Sequence, residues 1–342
     1  MIQIVDEVKE DDWREFLASC DGATIYHTPE WKEFLQNTFG YESCYLFAKD
    51  EFEKISGLLP LFYVKSKLTG KRLCSVPFSH LCSPIGSRND VNLLIRRAIS
   101  LFEDLKINYL EIRDQINIDG FECQSFFSTY ILELSSDIKE TWEKLDSKKV
   151  KRAIRKSQRE GVSVSITKNI EDLKKFYELN CMTKRAIGVP CHPWIFFKNL
   201  FSLLDDFVSL YVAKYDNNII AGGMMECFKN TMLYGYAAAD PRYLRKHPYE
   251  ALIWKGIEEA CSNGYRYFDF GRASHDNVGL IVFKKKWGTI EKKLYYSHYP
   301  RNPMLLTENR DNFKYKAGTK VIKNMPMPLY KKFSELVFGS FG

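Results

Sequence analysis

A chain of 342 residues, 45% hydrophobic and 27% charged, has room for two domains of ordinary size and is too apolar for a disordered protein. Its net charge of +7 permits an anionic partner without demanding one. No apolar run approaches membrane-spanning length and Met1 opens into a mixed segment rather than a signal peptide, so a cytoplasmic protein is expected. The nine cysteines show no paired spacing. Cys181 and Cys191-His192 lack the second short pair that a zinc site requires, so buried free thiols and no metal are expected.

In chain order, Ile2 to Val5 reads as a first strand, and Asp11-Asp12 as the cap of a helix through Trp13, Phe16 and Leu17. Thr28-Pro29-Glu30-Trp31 predicts a helix start, with Thr28 as cap, Pro29 at the first position and Glu30 in the first turn; that helix stops at Gly40. Tyr45 to Ala48 and Ile55 to Val64 predict a hairpin about Asp50-Glu51. A strand over Arg72 to His80, an amphipathic helix over Asn92 to Leu105, and strands over Tyr109 to Ile112 and Tyr130 to Leu134 complete the first half.

The second half repeats the plan. Pro193-Trp194 opens a helix as Pro29-Glu30-Trp31 does. Tyr211 to Lys214 echoes Tyr45 to Lys49, and Ile220-Ala221-Gly222 echoes Ile55-Ser56-Gly57. From Lys49 to Lys214 and from Gly57 to Gly222 the step is the same 165 residues, which predicts two copies of one α/β unit. The expected division is residues 1–135, residues 136–300 with the transfer site, and a basic tail at 301–342. Only the second copy carries Tyr267 to Phe270, a short buried strand bounded by Gly264 and Gly271, followed by a loop at Ser274 to Asn277. A helix over Val278 to Trp287 then pairs Phe283 with Trp287 on one face and ends at Gly288. This order delivers Asp269, Arg272 and Lys284 towards one mouth.

These residues resemble a known family. The hairpin over 219–228 and 231–239, the loop at 240–247, the helix over Pro248 to Asn263, the Tyr267 strand and the Phe-Lys helix together resemble a GNAT-type acyltransferase unit. Two such units in tandem, with Pro248-Tyr249, Tyr-Phe-Asp-Phe-Gly at 267–271 and Phe-Lys-Lys-Lys-Trp-Gly at 283–288, resemble the Fem family of peptidoglycan-bridge aminoacyltransferases and FemAB-like acyltransferases, over about Thr24 to Tyr299. The resemblance implies an α/β fold of two tandem GNAT-like units, each a mixed twisted sheet flanked by helices. It implies transfer of an acyl or aminoacyl group to an amine on a small-molecule or lipid-linked cell-envelope or glycan precursor by a monomer, at or near the inner face of the membrane. The donor is aminoacyl-tRNA or acyl-coenzyme A, with no resident cofactor. The bacterial bridge enzymes' long inserted coiled-coil arm is absent, which counts against transfer RNA. An acyl-coenzyme A N-acyltransferase of an amino sugar and a non-catalytic GNAT-fold binding module are the alternatives.

A coenzyme A cradle uses successive backbone N–H groups at a helix start, with glycines for close approach. The corresponding loop, Arg242 to Tyr249, has no glycine, and Pro248 removes one donor. Arg242, Arg245 and Lys246 could hold phosphate by side chains instead. Lys148 to Glu160 predicts a basic helix with Lys148, Arg152, Arg155, Lys156 and Arg159 on one face: a solvated linker, or a phosphate rail for RNA or a nucleotide- or lipid-linked acceptor.

Tyr234 and Tyr236 alternate along a strand, so one face is expected to hold both, as core packing or as the lining of an acyl-transfer groove. Tyr249 and Phe283 are further candidates for substrate contact; the resemblance places acceptor-binding residues near Trp31 and Lys32, with a staple-like core role as the other reading of Trp31. Asp269 is either a structural hydrogen-bond acceptor or a base. His80, His247 and His275 have no Ser or Cys at suggestive spacing, so a nucleophile triad is not expected. After Pro326 and Pro328, Leu329, Phe333, Leu336 and Val337 predict an apolar stripe, either docked on the second unit or inserted shallowly into an anionic membrane. The family's Phe-Lys motif matches Phe283-Lys284, which implies a lysine at the reaction centre, where negative charge builds on the carbonyl oxygen.

Overall fold

The computed structural model describes residues 2–66, 70–145, 148–301 and 313–340. They form two compact units: unit 1 is Met1–Phe127, Lys293–Glu308 and Gly339–Gly342, and unit 2 is Ser128–Lys292 and Asn309–Phe338.

Unit 1 opens with β1 (Gln3–Val5), α1 (Glu10–Ser19), α2 (Pro29–Phe39), β2 (Glu42–Ser43), β3 (Leu46–Lys49), β4 (Ile55–Leu59), β5 (Phe62–Ser66) and β6 (Gly70–Ser75). It continues through β7 (Ile85–Gly86), α3 (Arg88–Leu105), β8 (Tyr109–Ile112) and the first half of β9 (Glu122–Glu133). The start of α2 is as the sequence predicts: Thr28 Oγ1 accepts from Trp31 N at 3.2 Å and Gly40 ends the helix at φ +67°. Asp11 and Asp12 do not cap α1. Lys9 holds that position, and the two acids lie in the first turn, where they face the positive end of the helix dipole. The strand expected over Ile55 to Val64 is two strands, because Pro60 has no N–H to give a ladder. Accordingly β4 belongs to the sheet β1-β3-β4-β7, and β5 joins β2, β6 and β8, with β6 and β8 parallel. The strand expected to reach His80 ends at Ser75. Leu94, Ile95 and Ala98 of α3 fill the core with Leu46, Leu59 and Leu110.

Unit 2 holds α4 (Ile138–Lys144), α5 (Lys148–Arg159), β10 (Ser163–Thr167), α6 (Ile170–Ile187), α7 (Trp194–Leu203), β11 (Val208–Tyr215), β12 (Asn218–Phe228) and β13 (Thr231–Ala239). These are followed by α8 (Pro248–Ser262), β14 (Tyr267–Ser274), α9 (Val278–Lys285), β15 (Ile290–Tyr299), which continues into unit 1, α10 (Phe313–Asn324) and α11 (Met327–Phe338). Strands β10 to β13 are antiparallel in order, and β14 joins β13 in parallel after the α8 crossover. The core under α5 and α8 contains Met225, Trp254, Ile257 and Phe268. Phe176, Phe196 and Phe197 of α6 and α7 are fully buried in a second aromatic cluster.

The C-terminal helix docks on unit 2 by a stripe other than the expected one. Tyr330, Ser334 and Phe338, four residues apart, are buried, whereas Leu329 and Leu336 are 56% and 77% exposed. The difference has a polar cause: Tyr330 donates to Val189 O at 2.8 Å, Ser334 Oγ accepts from Cys191 N at 3.2 Å, and Phe338 packs on His192 with ring centroids 4.5 Å apart. Removing Met327–Phe338 is expected to destabilise unit 2 by roughly 3–6 kcal/mol, the scale for exposing one Tyr and one Phe side chain. The readout is thermal unfolding of the truncated chain; an unchanged midpoint would mean that the docking contributes nothing.

Candidate active site

The site is built on β14. The strand does not stop at Phe270 but runs to Ser274, kinked by Gly271 at φ +70°, a conformation few other residues adopt at low cost. Asp269 holds the kink: its Oδ1 accepts from Gly271 N at 2.7 Å and from the Thr129 hydroxyl, and the residue is buried. The strand expected to end at Phe270 thus continues through Gly271 to Ser274.

Lys284 lies inside the protein. It is 5% exposed, and its Nζ donates to Gly271 O at 2.7 Å and Arg272 O at 3.0 Å and lies 5.6 Å from the Tyr130 ring centroid. Burial lowers its pKa to about 8, with Asp269 favouring the ammonium and Arg272 opposing it. Trp287 is fully buried and meets Phe283 edge-on at 6.4 Å, so the predicted anchor pair holds α9 in place. Lys285, by contrast, is exposed and pairs with Glu291 at 2.7 Å. Arg272 contributes its backbone carbonyl while its side chain is exposed.

Tyr234 and Tyr236 do not share a face. Tyr236 pairs with Met224 and Tyr234 with the next residue, Met225, so Gly235 is an extra residue in β13. This bulge turns the two rings to opposite sides. Tyr234 joins the cluster under α8, and Tyr236 packs against His192, Phe196 and Phe197.

The face of Tyr236 also carries Glu226, which sequence reasoning passed over. Glu226 is 3% exposed, and burial pushes its pKa up to about 8, with the nearby Asp269 charge adding to the effect. The available signal was one acid in the otherwise apolar run of β12. Asp269, Glu226 and Lys284 therefore form one electrostatically linked set: a buried acid, a second carboxyl beside it and a desolvated amine.

The remaining candidates lie elsewhere. Tyr249 packs in the cluster under α8. Arg242 is bound by Asp240 at 2.6 Å; Lys246 sits 3.8 Å from the Tyr215 ring centroid and 3.5 Å from Glu160; Arg245 is exposed. On α5, Val150, Ala153, Ile154 and Ser157 are buried, so the inner face is deeper than its thin apolar stripe suggests. Arg152 and Arg155 are exposed on the outer face, Arg155 lies 5.3 Å from the Trp142 ring centroid, and Lys156 pairs with Glu160 at 3.6 Å. In unit 1, Trp31 is a core residue, and Lys32 lies 5.5 Å from the Tyr45 ring centroid beside a cavity of about 240 Å³ lined also by Trp13, Arg14 and Glu30. His275 does meet a serine: Ser128 Oγ lies 3.0 Å from its Nε2. Ser128 is fully buried, so its hydroxyl is closed to a substrate carbonyl.

The family model for the acetyltransferase (GNAT) domain matches residues 146–284. No curated protein matches the sequence. Among solved structures, FemX superposes with a TM-score of 0.70 at 15% identity, over 86% of this chain and 96% of that one. L-PGS from Bacillus licheniformis gives 0.56 at 14% identity, over 94% and 99% of the two chains. A tandem GNAT protein from the clavulanic acid biosynthesis pathway gives 0.53 at 9%, over 87% and 98%. Residues 146–284 thus carry an acetyltransferase (GNAT) domain, and the chain as a whole has the fold of these solved structures.

Proposed function

We propose that unit 2 transfers an aminoacyl group to an amine of a cell-envelope or glycan precursor, with Lys284 as the cation facing the developing oxyanion. The observation that carries this is the buried ammonium itself. Two of its three N–H groups are held by the Gly271 and Arg272 carbonyls, which fixes Nζ and leaves one donor for a substrate oxygen. Asp269 supports the charge of that ammonium from β14. Attack of the amine on the ester carbon forms the amide bond and releases the ester alcohol, which takes the proton that the nitrogen loses.

The loop before α8 favours an ester donor over coenzyme A. It has no glycine, its Arg242 is already neutralised by Asp240, and its Lys246 is engaged with Glu160. The exposed Arg152, Arg155 and Arg159 of α5 offer a rail for a phosphate backbone. The test is thermal shift with coenzyme A, acetyl-coenzyme A and an aminoacylated acceptor-stem minihelix. At a hundred times its dissociation constant the minihelix is expected to stabilise the protein by about 2.7 kcal/mol, in a salt-dependent way. Stabilisation by coenzyme A instead would select the N-acyltransferase reading, and no shift with any of the three would sink both.

A further inference from the structure

Glu226 is a carboxyl with little to hold a charge. It is buried, its Oε2 has no hydrogen-bond partner, and among the described residues no cation lies within ion-pair distance. The space it occupies depends on the bulge in β13. A Cβ at position 235 would collide with Glu226 Oε1, yet the Gly235 backbone is itself exposed. The carboxyl therefore lies immediately beneath an accessible stretch of strand, on the face that carries Tyr236.

The groups facing it argue against ionisation. Asp269 on β14 opposes a second negative charge, and Tyr236 on β13 is a phenol kept un-ionised by its own burial. Arg272, which acts on that phenol in the opposite sense, is exposed. A lone buried carboxylate costs several kcal/mol more than the acid.

We propose that Glu226 works as an uncharged carboxylic acid whose O–H donates a hydrogen bond to the carbonyl oxygen of an acyl group lying over Gly235, a role that rests on the acyl-transfer reading. The acid keeps its proton throughout. As the oxygen gains negative charge the donated bond shortens and strengthens, and Lys284 bears the rest of the charge. The subsite accordingly takes a neutral carbonyl and rejects a free carboxylate or an ammonium, neither of which an O–H at this position can match in a dry environment.

The experiment is infrared difference spectroscopy of the full chain against Glu226→Gln, with N-methylacetamide, acetate and methylammonium as probes. A protonated-carboxyl band is expected at pH 7, absent from the variant and fading as pH rises through about 8. N-methylacetamide should move that band; acetate and methylammonium should not. Gly235→Ala, whose Cβ would take the place of Glu226 Oε1 and push the carboxyl aside, should abolish the response. An ionised Glu226 at pH 7, a band indifferent to N-methylacetamide, or a response that survives Gly235→Ala would each overturn the proposal. The band belongs to the free protein, so failure of every acyl donor to bind would defeat the acyl-transfer reading without deciding this one.

Discussion

Glu226→Gln is expected to make the protein more stable at pH 8, and to do so only where the acid would be ionised in the unfolded chain. The native carboxyl holds its proton to about 8, against an ordinary 4.5. Between those values the unfolded chain has given up a proton that the native state retains, so native stability falls as pH rises through that window and is level beyond it. With each tenfold change in proton affinity worth about 1.4 kcal/mol, the penalty at pH 8 is roughly 3–5 kcal/mol. Gln keeps the shape and cannot ionise. In a unit of this size the midpoint should rise by about 10 °C at pH 8 and hardly at all at pH 4. Thermal unfolding of both proteins at pH 4, 6 and 8 reads the difference directly. A gain independent of pH would assign it to packing and remove the buried acid from the argument. A native residue that costs this much is of the kind retained for activity.

Lys284→Met is expected to lower turnover about a hundredfold, the scale for losing one oxyanion partner, while Lys285→Met and Lys286→Met leave it nearly unchanged. The contrast is structural: Lys284 is enclosed and fixed by two carbonyls, and Lys285 spends its charge on Glu291 at the surface. Because burial holds the Lys284 pKa at about 8, wild-type turnover should fall as pH passes that value, when the ammonium gives up its proton. Steady-state rates with the donor selected by thermal shift check both statements. Similar small losses at all three lysines would falsify the assignment, and a change confined to KM would make Lys284 a ligand for ground-state binding.

Local signals in the sequence were legible where one residue decides the backbone. Thr28-Pro29 and Gly40 bound α2 as expected, and Pro193-Trp194 opens α7. The Asp269, Arg272 and Lys284 neighbourhood was legible because the strand, the loop and the helix that carry it are consecutive. What escaped was non-local. The Gly235 bulge shows only when β12 and β13 are paired, and one extra residue is enough to send Tyr234 and Tyr236 to opposite faces. The tail stripe failed for a related reason. Hydrophobicity selected Leu329 and Leu336, while the docked face was chosen by hydrogen-bond partners at Val189 and Cys191, some 140 residues away. Glu226 was passed over, because its burial shows only once both neighbouring strands are in place.

The docking of α11 also sets an order of events during synthesis. The His192, Phe196 and Tyr236 ring cluster is made well before the helix whose Phe338 covers it. A nascent chain that has reached Tyr299 therefore already holds the whole sheet of unit 2, yet it presents that aromatic surface and the backbone groups of Val189 and Cys191 without their partners. Such a species is compact and adhesive, the kind of client that holding chaperones retain. Its lifetime is set by how quickly the ribosome adds the next forty or so residues, at about 5–20 residues per second.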